Sequence, residues 1–326
     1  MSNAVPPLLT ALIDDAAVFP PGSAALADAV PAHDGHRASW YSPLIGPLLL
    51  PVADLADPVL AGHAHGLGVI GETGAIERAL SDPGGLAGLD VRQIESPVAK
   101  RGEDPGPGIK RLAALMRAAE KPWDWYFEVP LTWGLMSALD ELADLRAEGL
   151  RAAAKFRTGG LAAELFPTPV ELAAVICACR DREMPFKLTA GLHNAVRHTD
   201  AETGLVHHGF LNVLAAVLAA AGGAEPADLS IILGGTDAIP LAEAVRASLE
   251  RPRPLWVGFG SCSVQEPVAD LTALGLLHRP KEHGPTGLTA IGPTTGAERP
   301  AGETGGPGER GAGEGPSGER SGDGAQ

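Results

Sequence analysis

The chain of 326 residues contains little cysteine and few aromatic residues. Its three cysteines are Cys177, Cys179 and Cys262, and the residues around them are mostly apolar or small. Three thiols are too few for a disulfide framework or a zinc knuckle, so we expect neither. This use of cysteine fits a reducing compartment, and the predicted location is the cytoplasm.

Positive charge is also scarce in the sequence. There are 25 Lys and Arg residues against 40 Asp and Glu, which gives a formal net charge of -15 at pH 7. No cluster of Lys and Arg interrupts this acidic balance, and aromatic residues make up only 4% of the chain. A nucleic-acid-binding surface needs cations for the phosphates and aromatic rings for stacking, so we exclude nucleic acid as a partner.

Long hydrophobic runs are missing too. No stretch approaches the roughly 20 apolar residues that a membrane-spanning helix needs. The N-terminal sequence MSNAVPPLLT lacks the basic region and long apolar core of a secretory signal. We therefore expect no membrane partner, although the 45% of apolar residues can fill a sizeable core.

Short apolar segments that end in charged or polar residues recur along the chain and alternate with helical patterns rich in Ala and Leu. Eight of them are predicted strands: LLTALIDD, PLLLPV, GLGVIGE, DVRQIESP, DWYFEVP, AAAKF, PFKLTAGL and PLWVGFGSCSV. Eight strands that alternate with helices over about 270 residues predict a (β/α)8 barrel of the TIM type. An open, doubly wound α/β sheet is the alternative, but no strand leads into a G-x-G-x-x-G fingerprint.

Two segments and the C-terminal end complete the predicted organisation. PVLAGHAHG, before the third strand, is assigned a helical pattern, and Ser230–Gly235 is either an additional strand or part of a helix. Residues 1–279 are predicted to form one barrel domain. Residues 280–326 are dominated by Gly, Pro, Glu, Thr and Ser without apolar periodicity, which predicts a disordered tail.

Two predicted strands each carry a lysine in the middle of an apolar run. These are Lys155 in AAAKF and Lys187 in PFKLTAGL, with the helical pattern PTPVELAAVICACRDRE between them. A strand–helix–strand unit places the two strands side by side, about 4.8 Å apart. Since burying an ammonium group costs several kcal/mol, these lysines are either paired with carboxylates or used for chemistry.

The functional residues of a (β/α)8 barrel gather at the C-terminal ends of its strands. Lys155 and Arg157 are two residues apart and face the same way. A lysine close to a second cation has a lowered pKa, so its neutral amine can attack a carbonyl and form a Schiff base. Lys155 and Lys187 are the candidates for this role, with Glu128 moving protons. Alternatively, the lysines bind a substrate anion, or they only neutralise Glu95 and Glu128.

The pair AKFRTGG and PFKLTAGLH resembles the paired lysine strands of class I aldolases of the deoxyribose-phosphate aldolase type. In that family, small residues and glycines follow each lysine on consecutive barrel strands. The resemblance implies that Lys155 is the Schiff-base lysine and Lys187 its activating neighbour. It covers two short motifs, and Arg157 stands where the family pattern has a small hydroxyl residue.

Residues next to the predicted strand ends are assigned to substrate binding. Glycines let the backbone approach a ligand, and the start of the helix after the eighth strand attracts anions, so a phosphate or carboxylate fits there. A structural role in the strand-to-helix turn explains the same Gly and Ser residues. The assigned set is Arg157, Thr158, Gly159, Thr189, His193, Gly260 and Ser261.

A metal site is the alternative to Schiff-base chemistry. Glu95, Glu128 and His193 could together hold Mg²⁺ or Mn²⁺ and stabilise an enolate, with Lys155 or Lys187 as the base. The loop GLHNAVRHTDAETGLVHHG supplies further imidazoles, although a solvated loop explains it equally well.

The sequence therefore predicts a lyase that resembles an aldolase and needs no cofactor. Its substrate would be a small anionic carbonyl compound, phosphorylated or carboxylated, that reacts through a lysine Schiff base or a stabilised enolate. The alternatives are a metal-dependent barrel enzyme of the enolate type and a non-catalytic anion-binding barrel. The oligomeric state stays open, with a homo-oligomer as one of the options.

Overall fold

The computed structural model describes residues 5–82, 85–86 and 88–280. Its ten strands in this part of the chain are mostly short, and eight of them belong to one sheet. The strands are β1 (Ile13–Asp15), β2 (Ile45–Pro51), β3 (Leu67–Ile70), β4 (Val91–Pro97), β5 (Asp124–Glu128), β6 (Ala152–Arg157), β7 (Phe186–Thr189), β8 (His198–Thr199), β9 (Val206–His207) and β10 (Trp256–Ser261).

Nine α-helices lie between and after these strands within the described residues. They are α1 (Leu26–Ala38), α2 (Thr73–Ser81), α3 (Gly106–Ala118), α4 (Leu135–Ala147), α5 (Pro169–Asp181), α6 (Phe210–Ala221), α7 (Pro226–Gly234), α8 (Ala238–Arg246) and α9 (Gln265–Ala273). The start of α5 shows how the sequence sets a boundary. Thr168 caps the helix, Glu171 returns the bond to the Thr168 backbone N–H, and Pro169 occupies the first turn.

The eight-stranded sheet closes into a barrel in the order β1, β2, β3, β4, β5, β6, β7, β10. Every neighbouring pair is parallel. Strand β10 completes the ring by pairing with β1, where Ile13 stands opposite Phe259. The predicted (β/α)8 barrel of the TIM type is therefore confirmed. The doubly wound alternative is wrong, because an open sheet would leave two unpaired edges.

Outward-facing side chains of the barrel pack against the helices and form the main core. Trp125, Phe127, Phe156 and Phe186 are almost fully buried there. Their neighbours in sequence on β5, β6 and β7 are polar or charged and turn to the inside of the barrel. This alternation follows from the two-residue period of a strand, and it separates an apolar outer layer from a polar centre.

Arg253 links the two strands that close the barrel, β1 and β10, through hydrogen bonds. It precedes β10, and its guanidinium donates to the carbonyls of Leu8, Thr10 and Ala11 before β1 and of Trp256 and Val257 in β10. Burial of this group lowers its pKa to about 10. Five carbonyl oxygens thus receive donors at a point where two distant parts of the chain meet.

Two local predictions are corrected or decided by the structure. PVLAGHAHG does not form an α-helix: a short 3-10 turn, Pro58–Leu60, is followed by irregular chain up to β3. Gly62 there has a φ of 82°, a left-handed conformation that ends a helix. Ser230–Gly235 is not a strand, since α7 extends to Gly234.

The histidine-rich loop after β7 also has more structure than the sequence suggests, because β8 and β9 form an antiparallel hairpin within it. Within the described ranges, no helix is long and apolar enough to cross a membrane. Apart from Pro280, the predicted tail lies outside the described residues.

Candidate functional site

A network of buried charges occupies the centre of the barrel. Lys155 on β6 and Lys187 on β7 stand directly opposite each other in the strand register, as the sequence predicts. Their side chains are only 2% and 1% exposed. Two ammonium groups at this depth need compensating charge, and both find it in the same carboxylate.

Glu95 on β4 bridges the two lysines. Its Oε2 lies 2.6 Å from Lys155 Nζ, and its Oε1 accepts from Lys187 Nζ. The carboxylate is completely buried, which by itself would raise its pKa, but the two ammonium groups outweigh this and lower the pKa to about 2. Glu95 is therefore a permanent anion at neutral pH and a weak base.

A second carboxylate, that of Asp14 on β1, also accepts from Lys187. The side-chain amide of Gln93 on β4 donates to Asp14 Oδ2 at 2.8 Å and to Glu95 Oε1 at 2.9 Å, so it fixes both acidic groups. Burial raises the pKa of Asp14, and the attraction of Lys187 only partly offsets it. Asp14 is thus a better proton acceptor than Glu95, the other carboxylate that is bound to Lys187.

Lys155 is held from the opposite side by Glu128. The distance from Lys155 Nζ to Glu128 Oε2 is 2.9 Å, and Arg157 Nε donates to Glu128 Oε1 at 3.3 Å. Burial alone would lower the pKa of Lys155, but Glu128 and Glu95 raise it above its ordinary value. The expectation that neighbouring cations would lower this pKa is therefore wrong for Lys155, because two carboxylates lie nearer to it.

Burial also acts on Glu128 and Tyr126, the two residues that β5 contributes to this region. It tends to raise the pKa of Glu128, but Lys155 and then Arg157 reverse the effect and lower it. Tyr126 lies with its ring centre 5.0 Å from Lys187 Nζ. Burial and the charge of Asp14 raise its pKa well above the ordinary value, so Tyr126 stays a neutral phenol.

Two glycines make room for this network. A Cβ at Gly46 on β2 would overlap Asp14 Oδ1, and one at Gly68 on β3 would lie 2.8 Å from Gln93 Nε2. Real Cβ atoms essentially never come that close to another heavy atom. A side chain at either position would therefore displace Asp14 or Gln93, and at Gly68 also Leu49, which lies 2.5 Å from the same Cβ position.

A cavity of about 270 Å³ opens beside the network, above the C-terminal ends of β5 and β6. Glu128 and Arg157 connect the two, since both line the cavity and contact each other. Lys100 and Arg101 add positive charge to its wall, and Glu164 and Glu171 add negative charge. Apolar surface comes from Val129, Pro130, Leu131, Leu165 and Pro167. The cavity thus combines charged groups of both signs with apolar surface, and its size is that of a small-molecule site.

Several residues predicted to bind substrate have structural partners. Thr158 is buried and donates to the carbonyls of Thr189 and Ala190, which ties the ends of β6 and β7 together. A Cβ at Gly159 would lie 2.9 Å from Gly191 Cα, so this glycine permits the contact between two loops. Of the predicted binding residues near β6, only Arg157 lines the cavity.

The predicted binding residues of β10 lie on the strand next to Asp14, since Gly260 pairs with Asp14 and Ser261 with Asp15 in the register. Ser261 is buried and donates to the carbonyl of Ser263 at 2.7 Å, which shapes the turn before α9. Gly260 stands opposite Thr189 in the register, at the end of the barrel. His193 lies 3.6 Å from Cys262 Sγ and 3.6 Å from a carboxylate oxygen of Glu266.

The structure does not bring together the residues of the predicted metal site. Glu95 and Glu128 both contact Lys155, whereas His193 has its contacts on the β10 side with Cys262 and Glu266. Within the described ranges, no group of three or more His, Cys, Asp or Glu side chains is arranged to hold a metal ion as it stands.

Gln93 and Tyr126 are parts of the network that sequence reasoning missed. A signal was available for both, because Gln93 is two residues before Glu95 and Tyr126 is two before Glu128. Residues at this spacing share a strand face. Glu72, by contrast, ends the predicted third strand GLGVIGE but is an exposed residue at the start of α2.

Comparisons with family models, with curated proteins and with solved structures give no significant match for this chain. The fold and the geometry of the site therefore carry the functional interpretation.

Proposed function

We propose that this protein is a lyase of the aldolase type that acts on a small anionic carbonyl compound through a lysine imine. The observation that carries the proposal is the pairing of Lys155 and Lys187 in register, inside the barrel, around the single carboxylate of Glu95. Buried ion pairs contribute little net stability compared with apolar packing. A buried cluster of this kind next to a cavity is typical of a functional site.

Lys187 is the proposed nucleophile. Asp14, whose pKa is raised by burial, accepts from it and can take its proton when a substrate arrives. The freed amine attacks the carbonyl carbon, and the carbonyl oxygen leaves as water with the proton that Asp14 returns and a second proton from the attacking nitrogen, so that a protonated imine remains. This assignment differs from the one that the aldolase resemblance implies, in which Lys155 forms the imine.

Lys155 is the proposed fixed cation of the site. Glu95 and Glu128 raise its pKa, so its ammonium group stays protonated and can stabilise an oxyanion that develops during carbon–carbon cleavage. In that step, the bonding electrons move to the imine nitrogen and give an enamine. Glu128 accepts the hydroxyl proton of the departing aldehyde and passes it to the enamine carbon, which restores the protonated imine. Addition of water to this imine then releases the second product and the Lys187 amine.

Substrate recognition follows from the cavity beside Glu128. Lys100, Arg101 and Arg157 provide cations for a phosphate or carboxylate group, while the carbonyl end would point towards the barrel centre. The volume of about 270 Å³ suits a compound of a few carbon atoms with one such group.

Trapping of the imine tests this function. Borohydride is added to the full chain in the presence of small aldehydes and keto acids, and intact mass is measured for wild type, Lys187→Met and Lys155→Met. We expect one adduct that is lost in Lys187→Met and kept in Lys155→Met. Lys110→Met, which removes an exposed lysine of α3 outside the cavity lining, is the matched control and should keep the adduct.

Two other results have defined meanings. An adduct lost only in Lys155→Met would keep the lyase class and move the nucleophile to Lys155. Absence of any specific adduct in the wild type, in protein shown to be folded by circular dichroism, would contradict imine chemistry.

A non-catalytic anion-binding barrel is the second candidate. It is favoured by the balanced charges of the network, in which three carboxylates face Lys155, Lys187 and Arg157. Phosphate or dicarboxylate binding measured by calorimetry, without any trapped imine, would support the anion-binding function instead of the lyase.

A further inference from the structure

We propose that His33, His63, His65 and Asp34 form a binding site for a divalent transition metal ion such as Zn²⁺. The site lies on the outer side of the barrel, between α1 and the segment before β3. It is separate from the charged network, since Asp14 faces the lysines while the next residue, Asp15, contacts His33.

Three imidazole rings meet at this place. The ring centres of His33 and His63 are 6.0 Å apart, those of His33 and His65 are 6.1 Å apart, and those of His63 and His65 are 5.7 Å apart. Neutral imidazole is a favoured ligand of zinc and related metals. Three rings at nearly equal separations thus surround one central point.

The nitrogen atoms of two rings are buried without hydrogen-bond partners among the described residues. These atoms are Nε2 of His33 and both ring nitrogens of His63. The side chain of His33 is 0% exposed and that of His63 is 1% exposed. Buried polar atoms are normally satisfied, and each one left without a partner costs free energy. A bound cation would satisfy Nε2 of His33 and one of the two ring nitrogens of His63.

His33 has the support that a metal-binding histidine usually has. Its Nδ1 lies 3.0 Å from Asp15 Oδ2, and both groups are buried. Donation from Nδ1 to this carboxylate fixes the tautomer and leaves a lone pair on Nε2. A carboxylate behind the histidine, with the other nitrogen free, is the usual arrangement around a metal-binding imidazole.

Asp34 supplies an oxygen ligand and an opening to solvent. Its Oδ1 lies 3.3 Å from His63 Nδ1 and 3.7 Å from His65 Nε2. Two ligands of a tetrahedral zinc ion are about 3.3 Å apart when metal–ligand bonds are about 2.0 Å. Asp34 is 49% exposed and His65 is 36% exposed, which gives an ion an entry path.

The movement needed for binding is small. As they stand, the donor atoms do not converge on one point. The centre of the triangle of rings is about 3.4 Å from each ring centre, whereas a bond to zinc of about 2.0–2.1 Å requires about 3.2 Å. Rotation of His63 and His65, which lie on the irregular segment before β3, would direct their nitrogens inward.

Metal titration of the full chain tests the site. After dialysis against a chelator, we expect one equivalent of Zn²⁺ to bind by calorimetry and to raise the melting temperature. Co²⁺ should give the intense visible bands of a four-coordinate ion. His65→Ala and Asp34→Asn change exposed side chains, so they should fold normally, and they should weaken binding at least 10-fold.

Two further variants test whether binding depends on this particular site. Asp15→Asn removes the carboxylate behind His33 and should weaken Zn²⁺ binding about 10–100-fold. The double variant His198→Ala, His207→Ala removes two stacked rings of the β8–β9 hairpin and should bind like the wild type. No stoichiometric Zn²⁺ binding by the wild type, or unchanged binding by a folded His65→Ala, Asp34→Asn double variant, would overturn the site.

Discussion

At the scale of single residues, the barrel centre is governed by the balance between burial and ion pairing. Glu95 shows this most clearly, because burial opposes its charge and two lysines enforce it. Lys155 shows the same balance for a cation, since burial disfavours its charged form and the carboxylates of Glu128 and Glu95 stabilise it. Each residue keeps its charge at this depth because it has two partners of opposite charge.

Glu95→Gln tests this interdependence. The substitution leaves two buried ammonium groups with one fewer anion, and breaking a buried ion pair from one side costs about 3–5 kcal/mol. We expect the free energy of unfolding, measured with urea, to fall by that amount. Glu77→Gln, which breaks an exposed pair with Arg111 on the surface, is the control and should change stability little. A loss below about 1 kcal/mol for Glu95→Gln would show that the lysines are not held as described.

His208 makes a separate contribution to the pH dependence of stability. It is buried between the carbonyl of Pro167 and the guanidinium of Arg197, and burial lowers its pKa from 6.5 to about 4. Between these pH values, the unfolded chain binds a proton that the folded chain does not, so stability falls as the pH drops from about 6.5 to 4. The shift corresponds to about 3 kcal/mol.

His208→Gln should remove this part of the pH dependence, because a glutamine amide can donate to Pro167 and accept from Arg197 without titrating. Urea unfolding at pH 7 and pH 5 measures the difference for both proteins. If the free energy of unfolding changed equally with pH in the two proteins, His208 would take up its proton in the folded state as readily as in the unfolded chain.

At the scale of elements, periodicity predicted most of the barrel. The eight barrel strands and the helix after Thr168 follow from apolar runs, turn residues and a capping pair. Periodicity failed before β3, where PVLAGHAHG has apolar residues at helical spacing but Gly62 in a left-handed conformation. Val59 and Leu60 instead belong to a short turn that packs against an apolar cluster formed by Val30, Leu48, Leu50 and Leu67.

Closure of the barrel at β1 and β10 depends on Arg253, which a sequence pattern does not reveal. Arg253→Ala would leave five carbonyls without this donor and should reduce the free energy of unfolding by about 2–4 kcal/mol. Arg253→Lys should lose most of the same stability, because one ammonium group cannot reproduce a planar fork of donors. Substitution of the exposed Arg251 by alanine is the control. Unfolding in urea distinguishes these variants, and a wild-type midpoint for Arg253→Ala would contradict the role.

At the scale of the whole molecule, the closed barrel explains why distant residues share one site. Asp14 and Lys187 are 173 positions apart in the chain and still form an ion pair. The sequence predicted Lys155, Lys187 and Glu128 as one group, because neighbouring strands end at the same mouth. It also offered Glu95 and Glu128 as carboxylates that neutralise the lysines, and both ion pairs are present. It could not predict that Glu95 alone bridges the two lysines, since the strand stagger that sets side-chain heights leaves no local signal. The pKa of Lys155 was mispredicted for the same reason.

Peptide mapping of the wild-type protein after borohydride trapping tests the central claim most directly. It locates the modified lysine without any substitution in the charged network. We predict a single reduced adduct on Lys187, in the peptide that contains β7, formed with a small anionic carbonyl compound and suppressed by competing phosphate. Modification spread over exposed lysines such as Lys110 and Lys121, with Lys187 and Lys155 both unmodified, would contradict imine chemistry in this barrel.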